Sequence, residues 1–151
     1  MTTICPFLWF DDDLEDAIDF YSGIFPEAKV HSINRTPDGS VMTADFELAG
    51  QAIKGLNGGP IFPFTEAISL FVTCDDVAEV DRLWDALVAD GGQHSQCGWL
   101  KDRFGLSWQI VPAEFLDLMA NGEPQRAAQM METMMGMTKL DLPTLKAAYE
   151  R

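Results

Sequence analysis

Ile4 to Phe10 is a continuous apolar run of strand length, closed by the acidic cluster Asp11-Asp12-Asp13. Leu14, Ala17, Ile18, Tyr21, Ile24 and Phe25 then recur at helical spacing. The three aspartates suit the positive end of that helix as N-cap and first-turn charges, and Pro26 stops it. Lys29 to Ile33 reads as a short strand, followed by the turn residues Pro37-Asp38-Gly39. Val41 to Leu48 and Gln51 to Leu56 flank Ala49-Gly50 and read as a hairpin. Asn57-Gly58-Gly59-Pro60 ends the block.

The order then repeats. Ala67 to Thr73 is a strand; Val77, Val80, Leu83, Trp84, Leu87 and Val88 form a helical stripe that Gly91-Gly92 terminates. Gln93 to Ser95, Cys97 to Asp102 and Leu106 to Val111 are further strands, the last two flanking a turn at Gly105. An offset of 63 carries Asp13 onto Asp76, Ala17 onto Val80, Tyr21 onto Trp84, Ile24 onto Leu87 and His31 onto His94. Later the offset falls to 55, carrying Gly50 onto Gly105, because the second copy lacks most of the Asn34–Ser40 turn. The pattern predicts an α+β fold of two βαβββ modules, about 1–60 and 61–112. Each is a mixed sheet with one helix on its convex face, and the two concave faces are expected to enclose a cleft. Past Pro112, helices are predicted over Ala113–Ala120, Pro124–Met135 and Pro143–Glu150, the last capped by Asp141. This extension, 113–151, holds six of the eight methionines and is expected to pack on the same domain or on a partner subunit.

A chain of 151 residues forms one domain's worth of core without needing a disulfide or a metal. Its net charge of −14 disfavours nucleic acid and anionic membrane surfaces, which demand basic patches. Cys5, Cys74 and Cys97 form no CxxC and no disulfide framework. No apolar stretch reaches the ~18 residues of a membrane span, and no basic leader precedes the aspartates. A cytoplasmic protein is expected.

Individual chemical motifs are weak. His31 and His94 occupy equivalent strand ends without HxH or HxxxH spacing. Cys97 has no visible base beside it, and a structural thiol is the simpler reading. Asp11 to Asp13 serve a helix start more simply than a cation. Asn57 to Pro60 is too short for a dinucleotide loop, and no GxGxxG occurs.

The segment Cys97-Gly98-Trp99-Leu100-Lys101-Asp102-Arg103-Phe104-Gly105-Leu106-Ser107-Trp108-Gln109 is the most distinctive. With Pro6-Phe7-Leu8-Trp9-Phe10, Phe20-Tyr21 and Leu56-Asn57-Gly58-Gly59-Pro60, it resembles the PhnB-like family of the vicinal oxygen chelate superfamily, which includes glyoxalase I, bleomycin-resistance and extradiol dioxygenase proteins. Members often carry the label 3-demethylubiquinone-9 3-methyltransferase, although no Rossmann-type S-adenosylmethionine site is legible here. The resemblance implies a metal ligand on the first and last strand of each module. Those four positions hold Pro6, Lys54, Ser69 and Gln109, a set with no strong donor for zinc or iron, so neither metal nor cofactor is expected.

The resemblance further implies a metal-free small-molecule-binding homodimer. Its ligand-binding cleft would be lined by Pro6, Leu8, Phe10, Lys54, Ser69, Phe71, Trp108 and Gln109. The acidic balance and abundant Trp and Phe suit an aromatic or cationic ligand. Alternatives are an enzyme of lyase, isomerase or transferase class using Lys54 with Gln109, and a non-catalytic assembly protein. Alternation places Ala52, Lys54 and Leu56 on one strand face, with Ile53 and Gly55 on the other. A cleft-facing Lys54 would have a lowered pKa unless a carboxylate answers it.

Overall fold

A computed structural model describes residues 1–151. It divides into two compact units, Met1–Phe64 and Thr65–Arg151. The first holds β1 (Phe7–Phe10), α1 (Leu14–Ile24), β2 (Lys29–Arg35), β3 (Val41–Leu48) and β4 (Gln51–Asn57). The second holds β5 (Ser69–Cys74), α2 (Val77–Val88), β6 (Gln93–His94), β7 (Trp99–Lys101) and β8 (Ser107–Pro112), then α3 (Ala113–Asn121), α4 (Pro124–Met135) and α5 (Leu142–Glu150).

The two sheets have the same topology, β1-β4-β3-β2 and β5-β8-β7-β6. In each, the first strand pairs parallel with the last and the other pairs are antiparallel. β1 is shorter than the apolar run suggests. Its pairing begins where the Lys54 N–H donates to the Pro6 carbonyl, and Ile4 upstream is exposed.

In the first unit α1 packs on β3 and β4 through Leu14, Ala17, Ile18, Tyr21 and Ile24. Beneath it lie Leu8, Phe10, Ala44, Phe46 and Ile53, all buried. The helix start is not capped by the aspartates: the Asp13 side chain makes no capping bond. Asn57 does that work from the end of β4, its Oδ1 accepting the Leu14 N–H at 2.9 Å while its Nδ2 donates to the Val41 carbonyl. Partial burial raises the Asp13 pKa, and the neighbouring Asp12, Asp11 and Asp16 push it the same way. The glycines that follow Asn57 form a latch. Gly58 and Gly59 donate to the carbonyls of Phe10 and Asp11, and the Trp9 indole donates to the Gly59 carbonyl at 2.9 Å. A Cβ on Gly58 would stand 2.4 Å from the Trp9 ring, so only glycine fits.

The second unit repeats this plan with different packing. Val80, Leu83, Trp84 and Leu87 of α2 are buried. Here the aspartate does cap: the Asp76 carboxylate accepts the Glu79 N–H at 2.8 Å. Leu14 and Val77, related by the same offset of 63, also diverge, since Leu14 is buried whereas Val77 is exposed. Leu14 fills the space over Gly55, where an added Cβ would meet its Cδ1 at 2.7 Å. The position equivalent to Gly55 is the fully buried Ile110, so the glycine over which Leu14 packs has no counterpart beside Val77.

The C-terminal helices complete this second unit. Val111, Phe115, Met130, Leu140, Leu142 and Leu145 form one buried cluster, with Met119, Met134 and Met137 packed against it. Met119, Met130, Met134 and Met137 are thus packed within this unit, while Met135 is exposed. The preceding segment is pinned by backbone: Cys97 and Gly98 donate to the carbonyls of Met137 and Thr138 at 2.7 and 2.8 Å. Cys97 sits at φ 59 and Gly98 at φ 86, a turn conformation, so β7 begins only at Trp99.

Candidate functional site

Strand alternation assigns the residues of each sheet to a helix-facing side and an open side. In the second unit Phe71 stands opposite Gln109, and Gln109 opposite Trp99. Ser69 stands opposite Ser107, and Ser107 opposite Lys101. These residues share the open side. Trp108 and Ile110 alternate with them, are buried, and belong to the core under α2. Gln109 Nε2 donates to Ser69 Oγ at 3.0 Å. The pair leaves a serine O–H to donate and an amide oxygen to accept, beside Phe71, which is 50% exposed.

In the first unit the open side carries Lys54, flanked in register by Asp45 and Phe7. Lys54 Nζ donates to Asp45 Oδ1 at 2.6 Å, and Ser32 Oγ donates to Asp45 Oδ2 at 3.1 Å. The hydrogen bond that Lys54 donates to Asp45 raises the Lys54 pKa and lowers that of Asp45. Lys54 is thus held as a cation on Asp45. His31 pairs with Glu47 at 3.2 Å. His94 instead accepts the Trp84 indole N–H at its Nδ1, on the helix-facing side of the other sheet.

Three residues expected to line a cleft are therefore reassigned. Leu8, Phe10 and Trp108 are 4%, 1% and 2% exposed and face the helices. Pro6, Lys54, Ser69, Phe71 and Gln109 stay accessible to different degrees. Sequence reasoning missed Asp45, Ser32, Trp99, Lys101 and Ser107 on the open sides. The alternation of Trp99 and Lys101 with Leu100, and of Ser107 and Gln109 with Trp108, carried the signal for the last three.

The distinctive segment around Asp102 is architectural. Asp102 is 2% exposed. Its Oδ1 accepts the N–H groups of Phe104 and Leu106 at 2.9 and 3.1 Å, and its Oδ2 accepts the Trp108 indole N–H at 2.9 Å. It shapes the turn that sets β7 against β8.

Residues 2–111 match the family model described as 3-demethylubiquinone-9 3-methyltransferase. A PhnB protein from Bacillus cereus is 32% identical, with a TM-score of 0.69, covering 74% of this chain and 100% of that one. The chain belongs to the PhnB-like family of the vicinal oxygen chelate superfamily. Other solved relatives share the fold. Protein PA1353 from Pseudomonas aeruginosa is 20% identical, with a TM-score of 0.61 over 74% of this chain and 98% of that one. The fosfomycin resistance protein FosX from Listeria monocytogenes, solved with Mn(II) and sulfate, is 18% identical, with a TM-score of 0.56 over 72% and 89%. A search of the curated proteins finds no match.

The PhnB-like chain does not fit the groups its relatives suggest. At the four inherited positions, Pro6 has no side-chain donor, Lys54 is a cation bound to Asp45, and Ser69 and Gln109 are spent partly on each other. No three His, Cys, Asp or Glu side chains come together as a metal set. The S-adenosylmethionine crevice of a doubly wound parallel sheet has no counterpart, because each sheet has a single parallel pair. No helix is long and apolar enough to cross a membrane.

Proposed function

We propose that this PhnB-like chain is a metal-free binder of small molecules, with Gln109 and Ser69 as its polar contact and Phe71 as its apolar one. The observation that carries this is the Gln109–Ser69 hydrogen bond, a neutral pair on the open side of the second sheet where the superfamily holds metal ligands. A neutral donor and acceptor beside an exposed phenyl ring suit a flat molecule carrying an amide or hydroxyl group. A thermal-shift and ligand-observed NMR screen of such compounds tests it. Hits should weaken in Gln109→Ala and Phe71→Ala, with less than one transition metal per chain by elemental analysis. Stoichiometric metal, or hits indifferent to both substitutions, overturns the reading.

The binder is proposed to act as a homodimer. Ile4, Phe7, Ile61, Phe62 and Ile68 are each more than half exposed, apolar area of the kind that subunit contact buries. Sedimentation at micromolar concentration should give twice the chain mass; a monomer refutes this part.

A further inference from the structure

A pocket of about 160 Å³ lies within the second unit, bordered by Glu66, Gln93, Trp99, Lys101 and Ser107. Neither Gln109 nor Ser69 borders it. One of the residues bordering it is unusual: Ser107 is 1% exposed and its Oγ has no hydrogen-bond partner within the chain. A buried hydroxyl left unsatisfied costs free energy, so its presence beside a pocket points to a partner from outside the chain. At the rim the Lys101 ammonium is paired with the Glu66 carboxylate, both still open to solvent. An exposed pair of this kind is weak and easily opened. The Trp99 ring lies on the same open side, two residues from Lys101.

We propose that this pocket binds a small zwitterion of the α-amino acid class. The pocket, about 160 Å³, has room for an amino acid with a small side chain. The ligand carboxylate takes charge-assisted hydrogen bonds from Lys101 Nζ and Ser107 Oγ. The ligand ammonium takes the place of Lys101 on Glu66, against the face of Trp99. Both rim charges remain paired, so binding adds no net charge to a chain already at −14. A simple anion would leave Glu66 unanswered, and a simple cation would leave Lys101 unanswered.

The test uses the full ¹⁵N-labelled chain titrated with glycine, alanine and serine, and separately with acetate and methylamine. The Trp99 indole and the Lys101 and Ser107 amides should shift saturably with the amino acids, and about tenfold more weakly or not at all with the single-charge probes. Ser107→Ala should keep or raise the melting temperature, since it removes an unsatisfied group, yet weaken amino-acid binding about tenfold or more. Glu66→Gln, a surface change, should weaken it likewise while leaving the fold intact. Four results overturn the proposal: no saturable shift, acetate binding as well as glycine, unchanged affinity in both variants, or a Ser107→Ala variant that is destabilised because the hydroxyl serves only a structural water. None of these touches Gln109 or Phe71, so failure here leaves the proposed ligand contact standing.

Discussion

Replacing Asp102 by alanine tests whether the distinctive family segment is architectural. Its carboxyl oxygens accept three N–H groups, from Phe104, Leu106 and the Trp108 indole. Phe104 is partly exposed and can turn to water. Leu106 and Trp108 are 1% and 2% exposed, so their donors are orphaned when the acceptor goes. At about 1–3 kcal/mol for each orphaned buried donor, the loss is about 4 kcal/mol. A chain of this length loses about 2–4 °C of melting temperature per kcal/mol, so Asp102→Ala should melt roughly 10 °C lower. Asp102→Asn should fall between, because an amide oxygen can still serve the backbone donors while the amide N–H opposes the indole. Calorimetry and denaturant titration followed by tryptophan fluorescence read the stability, and amide exchange at Leu106 reads the local opening. Combining Asp102→Ala with Trp108→Phe should be less than additive by about 1 kcal/mol or more, since the second change removes the orphaned indole N–H. A cost within about 0.5 kcal/mol, the range of an ordinary surface change, would refute the assignment.

Further outcomes follow from other sites. Ala49 precedes Gly50 at a two-residue hairpin turn with φ of 48° and 84°, which alanine adopts with strain; Ala49→Asn should stabilise by about 0.5–1 kcal/mol in denaturant titration. The Cys74 thiol is pushed up to about 12, chiefly by burial, so iodoacetamide at pH 8 should spare it in the native chain and label it after unfolding. This is a raised acid, so its contribution to stability is whole below the unfolded pKa and is lost as pH rises above that value. Asp45 is depressed by Lys54, so its stabilising effect is present above the ordinary aspartate pKa and is lost as pH falls through the lower folded value. Carbon-detected NMR should place the Asp45 midpoint below 3.8 and return it upward in Lys54→Met. Gly98→Ala puts a Cβ 3.0 Å from Leu140 at a φ of 86°, and should expose the segment after Met135 to protease faster than in the native chain.

Much of this architecture was legible because a two-residue turn fixes everything that follows it. Ala49-Gly50 sets Leu48 against Gln51, and the same register places Asp45 against Lys54. The carboxylate that answers Lys54 was thus present in the sequence, nine residues away, for a reader who carried the hairpin register through. The repeat was equally visible, yet it misled at Val77, because an offset records which positions correspond and not whether glycine or isoleucine stands beneath them. The same gap explains Leu8, Phe10 and Trp108. Aromatic and aliphatic residues suit a ligand wall and a helix-covered core alike, and only the side of the sheet separates the two. Asn57 reads locally as part of a terminating turn, and its capping of α1 depends on a parallel pairing across 47 residues. Ser107 lies further still from local pattern. A small polar residue in an apolar strand reads as a tolerated exception. What isolates its hydroxyl is tertiary: the opposed strands carrying Ser69 and Lys101, and Glu66 reaching Lys101 from 35 residues earlier in the chain. The contacts proposed for this chain therefore rest on the least periodic residues, while the hydrophobic pattern that makes the modules recognisable is spent on the helix-covered side of each sheet.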